Sequence, residues 1–165
     1  MKEREILERV ANHFSQPGVK TGWDSVRRMC VYKSSDGGLC AIGCLVSPEW
    51  AKKVANVAIS DLTKERPFDN FFDCRLSMGA MLSTSKIDKA WVKVLDSLYA
   101  EIGTGNHAFL ENLQELHDEW VSRTGSTDGL VSDIRTLLNG GEFEFNPNWV
   151  IREARGVLSD AINKK

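Results

Sequence analysis

Ile6, Leu7, Val10, Ala11 and Phe14 recur at spacings of one, three and four along residues 2–14, a pattern that predicts an amphipathic helix with one apolar face. Pro17-Gly18 ends it. A connection through Trp23 and Val26 then reaches an extended stretch at about Met29 to Lys33. Ser34-Ser35-Asp36-Gly37-Gly38 supplies residues that tolerate positive φ, so its flanks are expected to fold back as a short hairpin.

Ser47-Pro48-Glu49 has the chemistry of a helix start: a hydroxyl cap, a proline whose missing N–H is harmless there, and an acid near the positive dipole end. The helix should continue through Trp50, Val54, Val57 and Ala58. Asp61 to Asp73 reads as a loop broken by Pro67 and anchored by Phe68, Phe71 and Phe72, and Cys74 to Leu82 as a short helix. From Ser85 the pattern turns strongly helical, with Ile87, Trp91, Val94, Leu95 and Leu98 followed by Phe109, Leu110, Leu113, Leu116, Trp120 and Val121. Gly103 and Gly105 separate the two runs. Ser126 or Thr127 should cap a helix carrying Leu130, Ile134, Leu137 and Leu138, stopped by Gly140-Gly141. Glu142 to Phe145 alternates but is short enough for an extended loop. Asn148 should cap the last helix, with Trp149, Val150, Ala154, Val157, Leu158 and Ile162.

These elements predict an α+β fold: a single globular domain over residues 1–165, predominantly helical, around a small antiparallel β-hairpin or sheet at residues 29–45. A chain of 165 residues with 42% hydrophobic and 27% charged residues can bury such a core without a metal or disulfide. The formal charge of −2, with basic residues spread along the chain, disfavours nucleic acid as a partner. The charged start Met1-Lys2-Glu3-Arg4-Glu5 and the lack of a long apolar run predict a cytoplasmic protein with no membrane partner. In that setting the four cysteines are expected as free thiols.

Three of the four cysteines, Cys30, Cys40 and Cys44, flank the Gly-rich turn. Cys30, Tyr32, Asp36, Gly37 and Cys40-Ala41-Ile42-Gly43-Cys44-Leu45, with the later Leu113-Gln114-Glu115-Leu116-His117-Asp118, resemble recurring elements of small proteins encoded by bacteriophages and prophages. The likeness covers roughly residues 2–120 and is tight over about 30–50. Trp50 departs from it, standing where another kind of aromatic is typical, and so does the long C-terminal segment. The resemblance implies a phage or prophage accessory protein acting inside a bacterial cell, with no established activity attached.

Three readings of the cysteines compete. As a nucleophile, Cys40 or Cys44 would need a base such as His107 or His117, an acid to orient it and the Gly43 backbone as an oxyanion donor. Adjacent helical residues point about 100° apart, so Asp118 is expected to be a poor orienter of His117. As a metal site, Cys30, Cys40, Cys44 and Cys74 offer four soft ligands, but without the Cys-x2-Cys spacing of a zinc knuckle. As structure, the thiols are compact buried hydrophobes, and His117 links the hairpin to the long helix. His13 and His107 read as helix-end or surface histidines. Architecture is the favoured reading, and no cofactor is expected.

For binding, Trp91, Trp120 and Trp149 fall on apolar helical positions and are assigned to the core. Trp23 and Trp50, with Tyr32 and Phe68, are the candidates for a surface that anchors a partner. The leading expectation is a non-enzymatic protein that binds and modulates a host bacterial protein. The alternatives are a cysteine-dependent hydrolase or transferase, a structural zinc module, and a homodimer paired around Trp149 and Val157.

Overall fold

The computed structural model describes residues 2–26, 29–51 and 89–164. Helix α1 (Lys2–Phe14) buries Ile6, Leu7, Val10, Ala11 and Phe14, the face its periodicity predicts, with Glu3 and Glu5 in its first turn and His13 in its last. Two short strands follow, β1 (Trp23–Asp24) and β2 (Met29–Cys30), antiparallel with Trp23 opposite Cys30 and Asp24 opposite Met29. Residues 43–45 form a 3-10 turn. Residues 48–51 are helical, opened as expected by Ser47, whose hydroxyl accepts from Trp50 N at 3.1 Å.

The rest of the described chain is four helices: α2 (Lys89–Ile102), α3 (His107–Thr124), α4 (Asp128–Asn139) and α5 (Trp149–Asn163). Their ends follow local chemistry. Asn106 Oδ1 accepts from Phe109 N at 3.1 Å, and Asn148 Oδ1 accepts from Val150 N at 2.8 Å and Ile151 N at 3.2 Å. Each cap satisfies amide donors that the first helical turn leaves free. At α4 the work is divided: Thr127 holds the cap position without a side-chain bond, while Ser126 Oγ accepts from Asp128 N at 3.0 Å.

Helix α3 packs mainly on α5, and α1 on α4. One continuous core joins α1, residues 40–51 and α2 to α5, with Leu7, Leu98, Phe109, Leu110, Leu113, Leu116 and Leu130 among its fully buried side chains. Among the described residues no helix is long and apolar enough to cross a membrane.

The structure corrects the α+β expectation. The described fold is predominantly helical, and the hairpin across Ser34–Gly38 does not form as paired strands: only a single bridge, Lys33 to Leu39, spans the turn. The cause is visible in the burial of its second arm. Cys40, Ala41 and Ile42 are consecutively buried, whereas a half-buried strand alternates, so this arm curls into the 3-10 turn. Its first arm divides its bonds: Tyr32 O accepts from Cys40 N at 3.2 Å and Ser34 N donates to Gly38 O at 2.8 Å, but Met29–Cys30 pair with β1 and Gly22 bonds to both arms. Gly22 N donates to Leu39 O at 2.9 Å and Gly22 O accepts from Val31 N at 2.6 Å. A Cβ on Gly22 would sit 2.2 Å from Val31 O, so only glycine permits this three-segment crossing.

Two tryptophans exchange their expected places. Trp50 is buried, and its Nε1 donates to Ser97 Oγ at 2.9 Å. Trp149, assigned to the core, is 66% exposed. It stands at the first position of α5, directly after the cap, where the buried face of the helix is carried instead by Ile151, Ala154, Arg155 and Leu158. The helix expected over 74–82, the Phe68 loop with Phe71 and Phe72, Cys74 and the side chains of Cys30 and Trp91 lie outside the described residues.

Candidate functional site

The buried 40–45 segment and helix α3 meet inside the protein. Backbone Ile42 N, in the buried 40–45 segment, donates to Gln114 Oε1 on α3 at 3.3 Å. Gln114 Nε2 donates to Asp118 Oδ1 at 2.5 Å. The same carboxylate oxygen accepts from His117 Nδ1 at 3.0 Å. Gln114 and His117 are fully buried, while the Asp118 side chain is 31% exposed. The network therefore runs from a backbone amide of the irregular segment to a carboxylate at the surface.

This geometry revises two expectations. Asp118 does orient its neighbour's ring: neighbouring helical residues diverge at Cβ, yet a short carboxylate reaches His117 Nδ1 when the imidazole turns toward it. The link between the 40–45 segment and α3 is made by Gln114, for which the sequence reading had no role, and His117 packs its ring on Phe14 of α1 at a centroid distance of 5.3 Å.

Cys40 lies beneath this network, fully buried, with Gly43 N donating to its Sγ at 3.2 Å. Burial pushes its thiol well up from the usual value, and the nearby Asp118 carboxylate adds to the shift. Cys44 donates from Sγ to Ala41 O at 3.1 Å, and burial pushes its thiol up to about 12. Buried Tyr32 is likewise pushed up to about 12, by burial first and by Cys40 second. Gly43 is held between them: a Cβ there would lie 2.6 Å from Tyr32 O and 3.3 Å from Cys40 Sγ. These groups stay protonated near neutrality, opposite to what a nucleophilic thiolate needs. Among the described residues no hydrogen bond joins Cys40 or Cys44 to an imidazole, and His107 instead meets Tyr99 Oη at 2.7 Å and Glu111 at 3.9 Å. No three His, Cys, Asp or Glu side chains among the described residues converge as metal ligands. The proposed quartet reaches outside them through Cys74 and the Cys30 side chain.

Of the four candidate binding residues, Tyr32 and Trp50 are buried and Phe68 lies outside the described residues. Trp23 is half-buried and lines an open groove of about 760 Å³ with Lys20, Asp24, Val26 and Asp36. A second surface was not anticipated. Phe145 is 83% exposed, ahead of Trp149 on the same approach to α5, and Arg152 lies over the Phe145 ring at 6.0 Å. Phe143, Phe145, Arg152 and Gly156 line a smaller cleft of about 360 Å³. Along α3 and the first turns of α5 runs an acidic strip, which meets the start of α5 where Asn148 Nδ2 donates to Glu119 Oε1. Desolvation and the carboxylates of Glu111, Glu153, Asp118 and Glu119 together push Glu115 above the ordinary carboxylate range.

Beneath that surface is a buried ion pair that pattern reading also missed. Arg155 Nη2 donates to Asp133 Oδ1 at 2.6 Å, Trp120 Nε1 donates to Asp133 Oδ2 at 2.9 Å, and Arg155 Nη1 donates to Glu144 O at 3.0 Å. The Arg155 guanidinium also stacks 4.6 Å from the Phe143 ring. It ties α3, α4, α5 and the 143–145 segment at one point. No protein-family model, curated protein or solved structure matches the chain.

Proposed function

We propose that this chain is a bacteriophage or prophage accessory protein that binds and modulates a protein of its host bacterium, without catalysing a reaction. The observation that carries this reading is the exposed aromatic pair Phe145 and Trp149. Large aromatics left in water at one edge are the usual anchors of protein interfaces, and here the ion pair below them fixes the backbone that presents them.

The acidic strip of Glu111, Glu115, Glu119 and Glu153, which reaches the start of α5 at Asn148, selects the chemistry of the partner. It favours a segment with an apolar face and Lys or Arg at its margin, by complementarity of charge. The test is affinity capture from host lysate with three proteins: the natural chain, Phe145→Ala/Trp149→Ala, and Trp23→Ala. A stoichiometric host protein held by the natural chain and by Trp23→Ala, but weakened at least about tenfold in the double variant, supports the proposal. A partner lost only with Trp23→Ala would move the surface to the other groove. A chain that binds only itself, as seen by light scattering, would overturn it in favour of a homodimer.

A further inference from the structure

The cleft beside Phe145 is built largely of planar groups. Phe143, Glu144, Phe145, Arg152, Arg155 and Gly156 line its volume of about 360 Å³. That lies at the small end of the range for ligand sites, roughly 300–1,000 Å³, and suits one bulky side chain better than the face of a helix. Two of its walls are already stacked pairs: the Arg155 guanidinium is 4.6 Å from the Phe143 ring, and Arg152 lies over the Phe145 ring at 6.0 Å. Arg155 is more than nine-tenths buried. Asp133 and Glu144 O take its two Nη groups and fix the plane, while its Nε–H has no acceptor.

Gly156 adds an observation that the fold does not explain. It stands inside α5, where glycine is less favourable than alanine. Its φ is not positive, and a Cβ there would meet nothing within 4 Å, so neither backbone conformation nor close packing calls for glycine. What the missing side chain leaves is room in the cleft.

Charge then selects among occupants. Asp133 matches Arg155, and the other cation, Arg152, shares the cleft with Glu144. A ligand with net charge of either sign gains little from such a balance. A neutral group with an electron-rich face gains more, because a guanidinium attracts the negative face of an aromatic ring, and indole is the best of these. An indole also brings an N–H that needs an acceptor when covered. Glu144, Asn146 and Ser159 carry acceptor oxygens around the same cleft.

We propose that this cleft is a slot for the indole of a tryptophan presented by the host protein, laid against the guanidinium and phenyl planes over the glycine floor. The inference deepens the host-binding reading and rests on it for the source of the indole. It makes Phe145 the lip of a socket as well as an anchor.

Titration of the isotope-labelled chain with N-acetyl-L-tryptophanamide, read by backbone amide chemical shifts, tests the slot without any partner. The expected result is saturable shifts confined to residues 143–146 and 152–159, with affinity for N-acetyl-L-leucinamide about tenfold lower. Gly156→Leu puts a better helix former into the floor, so it should abolish the shifts while leaving the urea unfolding midpoint unchanged or higher. Arg152→Gln should weaken binding roughly two- to fivefold. Free tryptophan, charged at both ends, should bind no more tightly than the blocked form, and tighter binding would overturn the partner as the source of the ring. No saturable binding, shifts centred elsewhere, equal affinity for the leucine amide, or undiminished binding in Gly156→Leu would each overturn the slot. Failure to capture a host protein while the blocked tryptophan still binds would fault the host-binding reading and uphold the slot.

Discussion

Two buried polar nodes hold this protein together, and they are made of different chemistry. Where residues 40–45 meet α3, a neutral amide does the joining: Gln114 accepts from one backbone N–H and donates to Asp118. Where α3, α4 and α5 meet, two opposite charges are buried together, with Arg155 and Asp133 both under a tenth exposed. The amide node serves the entry to the 3-10 turn at 43–45, where Ile42 N bonds to the Gln114 side chain. The ionic node serves helices whose backbones are already satisfied, so its energy rests on charge being matched inside the protein. One should therefore fail locally and modestly, the other severely when half of it is removed.

The largest effect is expected at the ionic node. Asp133→Ala leaves Arg155 charged and buried, and should destabilise the fold by about 3–5 kcal/mol, measured by urea unfolding. Asp133→Leu combined with Arg155→Met removes both charges and should recover a large part of that loss, since a matched apolar pair avoids desolvating two ions. A double variant no more stable than Asp133→Ala would mean that Arg155 acts through its contacts with Glu144 O and the Phe143 ring and that charge matching is not the issue.

At the amide node, Gln114→Leu keeps the volume and strands the buried Ile42 N–H. The expected loss is about 1–3 kcal/mol, with exchange of the Ile42 amide accelerating before that of α5. Loss of the same size in Gln114→Glu, which keeps an acceptor for Ile42 N but sets a second carboxylate beside Asp118, would point to the Asp118 bond as the stronger half of the node.

The contrast also explains what could be read from the chain. Helices α1, α3, α4 and α5 were legible because their apolar spacing and their caps, Asn148 above all, are local signals. The amide node is half legible: its two segments stand out, but the sequence says nothing of which side chain crosses between them, and Gln114 makes the link that the pattern assigns to His117. The turn chemistry at Ser34–Gly38 is genuine and the residues beside it do bond across, but further out the first arm pairs with Gly22 and β1, which lie far from the turn in sequence, so no two-stranded ladder extends from it. The ionic node left no signal. Asp133 and Arg155 come from different helices, and each looks like an ordinary solvated charge until packing brings them to 2.6 Å. Trp149 was misplaced for the converse reason, since an apolar residue at a helix start satisfies the periodicity whether or not the fold covers it.

A smaller effect separates the amide node from the thiols below it. Folding raises the Cys44 thiol from 9.0 to about 12, with burial the chief cause. The sign is that of an acid kept neutral by the fold: its contribution is complete below the unfolded value and is lost as pH rises from about 9 toward 12. By about pH 10 each such thiol should remove on the order of 1 kcal/mol of stability. Cys44→Ala should flatten this alkaline decline, and Cys40→Ala should do the same at the neighbouring site. A decline of unchanged slope in both variants would assign it to Tyr32, the third group that the fold keeps protonated.

The smallest effect belongs to the surface over the ionic node. Trp149 is 66% exposed and contributes little to the apolar contact between α5 and α3, which Ile151, Ala154 and Leu158 provide. Trp149→Ala should therefore change unfolding free energy by no more than about 0.5 kcal/mol. Trp50→Ala offers the internal control: it removes a buried indole and its bond to Ser97, with an expected loss of about 3–5 kcal/mol. If the two substitutions proved equally damaging, Trp149 would belong to the core that the sequence pattern assigned it to, and the aromatic edge would lose its main anchor. If Trp149→Ala is silent in stability but weakens capture of a host protein, the residue's use lies outside the fold, since nothing within it depends on that ring.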